Sequence, residues 1–229
     1  MLPAKNPVIT RLGKLGYSGQ TGVLHLSGES AGSIHLSRGS VVYAESARTP
    51  GLPARLEKMT ALTGGAMVSS LERDWMAKDA TADAALELLS GKPRHMRFRA
   101  PGELDLGITE GMTVTLLVTE VNRRHNIMRQ LSAVLTPDTA VARNPRLKTR
   151  SIGVSDIQWA IAMRVNSPVT PRSLALELGQ SVLGTTIAVF RMVTMDLLSV
   201  VDPPAGSADE TRESDQNGPA ISFIRALVS

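Results

Sequence analysis

The stretch Thr21–Glu45, TGVLHLSGESAGSIHLSRGSVVYAE, constrains the fold more than any other part of the chain. Apolar and polar residues alternate along it, and this period of two is typical of strands that bury one face of a sheet. Gly28 and Gly32 bracket a hairpin loop, and Arg38 with Gly39 makes a tight turn into a third strand. The stretch therefore predicts a small antiparallel sheet.

The alternation also suggests a register for the first hairpin. Pairing Leu24 with Leu36, and Leu26 with Ile34, puts four aliphatic side chains on the buried face. The same register places His25 opposite His35 on the other face, and we expect that pair to face solvent or a partner protein.

Beyond Pro50 the apolar pattern changes from a period of two to a helical period. It predicts three helical stretches, at Leu52 to Leu62, around Glu72 to Ala77, and at Thr81 to Leu89. A strand at His95–Arg99, with Met96 and Phe98 pointing inward, would then return to the sheet. The predicted fold class is α+β, with a small antiparallel sheet and helices followed by an all-helical or winged-helix-like part.

This order of elements resembles the bacterial PATAN domain, the N-terminal module of PatA-type regulators. The resemblance covers about residues 7–105 and depends on TGVLHL, GSIHLSRGSVVYAE and the helical ALELL. Leu36 departs from the family, which usually has an aromatic residue there. The resemblance implies a protein-interaction module of regulatory and signalling proteins.

The second half of the chain is predicted to be helical. A long helix covers Thr113 to Leu135, with Arg123 and Arg124 off its apolar stripe. Three further helices follow, at Ser155 to Val165, Pro171 to Leu178 and Val182 to Val200, with capping signals at their starts. Their order is that of a helix-turn-helix, and the stretch is similar to the winged-helix superfamily.

These elements divide the chain into five parts. The predicted boundaries are a PATAN-like domain at 1–105, a connecting helix and basic linker at 106–150, a winged-helix-like domain at 151–202, an acidic linker at 203–219 and an apolar segment at 220–229.

A DNA-binding function is an alternative that the net charge of +4 supports weakly. Aromatic residues make up only 3% of the chain, which argues against stacking on single strands. If the third helix entered a major groove, Thr185 and Thr186 would face the bases, and phosphates would be contacted by the basic linker. The candidate contacts in that linker are Arg143, Arg146, Lys148 and Arg150.

Catalysis and metal binding have little support in the sequence. The chain has no cysteine, and the sequence places no nucleophile beside a base and pairs no carboxylates. His25 and His35 are two ligands, and two ligands do not make a zinc site. We therefore assign no catalytic, cofactor-binding or metal-binding residue and expect no cofactor.

The last residues carry a separate signal. Pro203 to Pro219 is acidic and has no large apolar side chain, whereas AISFIRALVS at Ala220–Ser229 is rich in them. This segment either folds back on the chain's own core or docks on a partner. Phe223, Ile224 and Leu227 are the candidate anchors.

These patterns favour a non-enzymatic bacterial regulatory or signalling adaptor that acts through protein–protein interactions, over the alternative of a DNA-binding transcription regulator. Its expected partners are other regulatory proteins of unknown identity, and self-association is left open. We expect a cytoplasmic protein without a membrane partner, because no apolar run approaches the roughly 20 residues that a membrane span requires.

Overall fold

The fold was taken from a computed structural model that describes residues 6–62, 64, 68–100, 108, 110–146 and 151–201. Within these residues the chain forms a four-stranded antiparallel sheet, a two-stranded sheet and seven helices. The predicted α+β class is confirmed.

The elements follow one another in this order: α1 (Pro7–Tyr17), β1 (Gly22–Gly28), β2 (Gly32–Ser37), β3 (Ser40–Ser46), α2 (Leu52–Leu62), α3 (Ser70–Ser90), β4 (Pro93–Arg99), α4 (Val114–Leu131), β5 (Val141–Arg143), α5 (Asp156–Ala162), α6 (Pro171–Leu178), α7 (Val182–Thr194) and β6 (Leu198–Val200).

The four-stranded sheet has the order β3-β2-β1-β4, and the predicted register of its first hairpin is wrong by two residues. Leu24 pairs with Ile34, and Leu26 lies opposite Gly32. A shift by two leaves every side chain on the same face, so alternation alone cannot detect it. The predicted faces are therefore correct: Leu26 and Ile34 are both buried, although they are not partners.

The same shift separates the two histidines along the hairpin. His25 pairs with Ser33, and His35 pairs with Val23 on one side and Tyr43 on the other. They are diagonal neighbours on the outer face and do not lie directly opposite each other.

Strand β4 returns to the sheet as predicted and pairs with β1. Phe98 packs against the core, and Met96 lies opposite the buried Leu26 on the same face as predicted, but it remains 38% exposed. The reason is that β4 is an edge strand, so a side chain on it has neighbours on only one side.

Helix α3 is a single helix of 21 residues where the sequence predicted two stretches. Ser69 caps its start through a capping box with Glu72. The helix runs along β3, where the backbone N–H of Ala44 donates to Thr81 Oγ1 at 3.3 Å. Helix α3 therefore covers an edge of the sheet that would otherwise be open to pairing.

Helix α4 belongs to two hydrophobic cores. Its Leu117 and Val121 are fully buried in the core that the sheet forms with α1 and α3. Leu131, at its end, packs against the second core, which α5, α6 and α7 build together with Leu135. The helix ends at Leu131 and not at Leu135. Helix α4 is therefore a structural part of both cores and is more than a linker between them.

Helix α7 ends at Thr194, which corrects the predicted helix through Val200. Asp196 adopts a left-handed conformation with a φ of 59°, and this conformation cannot continue a helix. The chain then forms β6, which pairs antiparallel with β5. Leu198 of this strand is 2% exposed and packs into the second core.

A cluster of ion pairs joins the two cores at the surface. Arg172 of α6 donates to Glu87 Oε1 of α3 at 2.7 Å and to both carboxylate oxygens of Asp138 at 2.7 and 3.0 Å. Arg48 reaches the same two carboxylates from the loop after β3. These ion pairs thus hold the two cores in a fixed relative position.

In the part of the chain that the structure describes, no helix is both long enough and apolar enough to cross a membrane.

Gly32→Ala tests the close packing of β2 against β3 and α3. A Cβ at this position would lie 2.1 Å from the Glu45 carbonyl oxygen and 2.9 Å from Leu88 Cδ2, so the backbone must shift. We expect a loss of about 1–3 kcal/mol in the free energy of unfolding, measured in urea. Gly13→Ala is the control, because nothing lies within 4 Å of its Cβ, and it should stabilise α1 by about 0.5–1 kcal/mol. Equal stabilities for the two variants would contradict this close packing.

Candidate docking cleft

Two carboxylates of α3 form a buried cluster with two arginines. Asp79 and Asp83 are four residues apart and therefore project from one face of the helix. Arg124 of α4 donates to Asp83 Oδ1 at 2.6 Å and to Asp79 Oδ1 at 2.6 Å. Arg55 of α2 donates to Asp83 Oδ2 at 2.9 Å and also pairs with Asp79. The cluster ties α2, α3 and α4 together.

A fourth element is attached to the same cluster. The backbone N–H of Val182, at the start of α7, donates to Asp83 Oδ2 at 2.9 Å. This N–H is one of the groups that a helix leaves unsatisfied in its first turn, and negative charge is favourable there. The Asp83 side chain is only 1% exposed, so one buried carboxylate connects the two cores.

The surroundings of Asp79, Arg124 and Glu120 shift the pKa of each toward its charged form. Burial raises the pKa of Asp79, but the charges and hydrogen bonds of Arg124 and Arg55 outweigh burial and hold it below its ordinary value. Burial lowers the pKa of Arg124, but Asp83, Asp79 and Glu120 outweigh burial and raise it overall. Hydrogen bonds from Arg123 first, and then from Arg124, lower the pKa of Glu120 to about 2.

A cleft of about 660 Å³ opens beside this cluster, between α2, α3, α4 and α7. Most of its lining surface is apolar, and residues of the polar cluster line it as well. The apolar lining residues are Met59, Trp75, Met76, Ile127, Leu183 and Ile187. The charged residues Glu72 and Arg123 also line it, so the cleft carries both signs of charge.

Trp75 is a largely exposed aromatic side chain at the cleft. It lies on α3, is 68% exposed, and also borders a second cavity of about 250 Å³ on its other side, lined in part by Met112 and Leu116. Leu71, one helical turn earlier, is 79% exposed. A large exposed aromatic beside an open apolar cleft is typical of an interaction surface.

His25 and His35, the predicted partner-facing pair, have different environments. His25 is exposed, whereas the His35 side chain is only 14% exposed, and burial lowers its pKa despite the nearby Glu45. Neither residue lines the cleft at Trp75. No group of three or more His, Asp or Glu side chains that could hold a metal ion occurs within the described ranges.

The structure does bring a hydroxyl beside a base, which the sequence did not suggest. Ser33 Oγ lies 3.2 Å from His35 Nε2 and donates to Glu45 Oε1 at 2.5 Å. The Ser33 hydroxyl thus donates its hydrogen bond to the Glu45 carboxylate, and that carboxylate lies 3.8 Å from the same His35 nitrogen that faces Ser33. Ser33 is itself buried. The three groups therefore lack the base–orienter bond of a nucleophilic triad.

Thr185 and Thr186, the predicted base contacts, are buried at 1% and 0% exposure. Most of α7 is buried with them, and Gly184, Arg191 and Thr194 are its exposed positions. A helix with most of its residues buried belongs to a core and offers little surface to a ligand. The proposed role of these threonines at a DNA surface is therefore inconsistent with the fold.

The basic linker is only partly described. The Arg143 side chain donates to the carbonyl oxygen of Ala162 at 2.6 Å, and the backbone N–H of Arg146 donates to Asn144 Oδ1 at 3.0 Å. Lys148 and Arg150 lie outside the described residues, as do Phe223, Ile224 and Leu227.

The sequence contains a signal for the buried cluster that the predictions did not use. Asp79, Asp83 and Glu87 recur every four residues along an alanine- and leucine-rich helix. Carboxylates at this spacing line one helix face, and that face cannot be solvated if it is flanked by alanines that pack. All three side chains make ion pairs with arginines from other elements.

Comparison of the chain with models of protein families, with curated proteins and with solved structures finds no match.

Asp83→Ala tests how far the cores depend on this carboxylate. It leaves Arg55, Arg124 and the Val182 N–H with one acceptor fewer, so we expect a loss of about 3–5 kcal/mol in the free energy of unfolding in urea. Arg123→Ala, which removes an exposed ion pair to Glu120, is the control and should cost no more than about 1 kcal/mol. A loss at Asp83 as small as at Arg123 would contradict the role of the cluster.

The pKa shift of Asp79 predicts a pH dependence. Because its folded pKa lies below the unfolded value, its stabilisation is present above about pH 4 and is lost as the pH falls through the folded pKa. Urea unfolding between pH 7 and pH 2 should therefore show a steeper acid loss for the wild type than for Asp79→Asn. Parallel curves for the two proteins would show that Asp79 is not ion-paired.

Proposed function

We propose that the chain is a non-enzymatic regulatory adaptor that binds a partner protein through the cleft at Trp75. The partner contributes an apolar helical segment, which lies between α2, α3, α4 and α7. The observation that carries the proposal is the combination of an open cleft, whose lining surface is mostly apolar, with a tryptophan that is 68% exposed.

The lining favours a helix with an apolar face as the occupant. Met59 and Met76 are flexible and polarizable, and such side chains adapt to apolar surfaces of different shape. The walls of the cleft are themselves helices, and an amphipathic helix in a groove is a common mode of peptide recognition. Glu72 and Arg123 provide opposite charges, which suits a helix with mixed charges on its polar face.

The polar cluster beside the cleft favours a binding site that is already formed before a partner binds. Asp79 and Arg124 take part in both the cluster and the lining, and their bonds to each other fix the helices on either side. A cleft whose walls are already fixed loses little conformational entropy when it binds.

The resemblance to the PATAN family agrees with this proposal, because that family is regarded as a protein-interaction module. The alternative, a DNA-binding transcription regulator, receives less support. Its recognition helix would have to be α7, of which only three scattered positions are exposed. A cytoplasmic location in a bacterium remains part of the proposal.

Trp75→Ser tests the proposed function. We expect this variant to lose a partner that the wild-type protein retains from an extract of its host, because an exposed aromatic anchor contributes about 2 kcal/mol or more at an interface. The purified partner should then bind the wild type in calorimetry and bind the variant at least about 30-fold more weakly.

Trp159→Ser is the matched control, since Trp159 is 60% exposed on α5 and does not line the cleft. It should retain the partner. Retention of the same partner by Trp75→Ser, with unchanged affinity, would refute the proposal.

A further inference from the structure

We infer that the cleft at Trp75 also accepts this chain's own segment Ala220–Ser229, so that the protein occupies its partner site intramolecularly. The inference rests on the proposed function of the cleft and names one occupant for it. It follows from three properties: the pattern of the segment, the reach of the linker and the local concentration that the linker produces.

The segment has the pattern that the cleft requires. Ile221, Ile224 and Val228 recur at positions i, i+3 and i+7, so they would share one face of a helix. Phe223 and Leu227 are four residues apart and would widen that face. Pro219 immediately precedes the segment, and proline is favourable at the start of a helix.

The linker is long enough to bring the segment to the cleft. Ile187 lines the cleft, and the helix from there to Thr194 spans about 10 Å. The chain from Thr194 to Val201 adds at most about 24 Å even if fully extended. Pro203 to Pro219, about 17 residues, can extend to about 55 Å. Distance therefore does not prevent docking within one molecule.

Tethering makes weak contacts sufficient. A linker of about 17 residues gives an effective concentration on the order of 1 mM at the site. A segment whose intrinsic Kd is about 0.1 mM would then fill the cleft in about nine-tenths of the molecules. A partner would have to displace it and would bind about tenfold more weakly than to the free cleft.

The absence of cysteine from the chain makes a direct test possible. Gly184 is exposed and lines the cleft, with no atom closer than 3.5 Å to an added Cβ, so Gly184→Cys should be tolerated. Paired with Ala226→Cys in the full chain under mild oxidation, it should form an intramolecular disulfide, detected by mass and by faster migration without reductant. Tyr17→Cys, at a site that is 98% exposed and outside the cleft, is the control partner for Ala226→Cys.

Trp75 provides an independent readout. In a Trp159→Phe background Trp75 is the sole tryptophan, and its quenching by acrylamide reports its exposure. Substituting both Phe223 and Ile224 with Ser should raise the quenching constant at least about twofold, because the segment no longer covers the indole.

The results separate this inference from the proposed function. Selective crosslinking from Gly184→Cys together with increased quenching supports docking within the chain. Equal crosslinking from Tyr17→Cys, a purely intermolecular disulfide, or unchanged quenching would overturn it. Partner binding lost in Trp75→Ser but unaffected in the Phe223 and Ile224 double variant would leave the proposed function standing and refute the inference alone.

Discussion

The carboxylate of Asp83 is the group on which the arrangement of both cores depends. It accepts hydrogen bonds from Arg55, from Arg124 and from the backbone of Val182, and these come from three different helices. A buried charge is tolerated only when such partners surround it, so the charge imposes an arrangement on the helices around it. The walls of the cleft at Trp75 are those same helices. The geometry of the candidate site is therefore a consequence of the polar cluster beneath it.

Much of the fold was predictable from local patterns. The glycine-interrupted alternation of Thr21–Glu45 predicted the three strands, and the capping residues Ser155 and Thr170 predicted where α5 and α6 begin. These signals depend on residues close in sequence. The hairpin register failed for a related reason: a shift of two residues preserves the alternation, so spacing alone does not determine which residues of β1 and β2 pair.

The candidate site was less predictable, because it is built by long-range pairing. Arg124 looked like a surface residue beside Arg123, yet it is buried because two aspartates of another helix accept its hydrogen bonds. Thr185 and Thr186 looked accessible because the start of a helix-turn-helix recognition helix usually is. Packing against the rest of the molecule reversed both expectations. The signal in the sequence was the regular spacing of the acidic residues along α3. That spacing indicates a buried cluster only when the arginines that pair with these residues are known.

The bond from Val182 to Asp83 has a consequence for how such a chain can evolve. Small helical units are often regarded as parts that recombination can move between proteins. Here the first turn of α7 is completed by a side chain nearly a hundred positions earlier. If residues 151–201 were transplanted into another protein, this acceptor would stay behind, and the recipient would need to provide a carboxylate at the same place. The two halves are therefore expected to be inherited together and to change in concert.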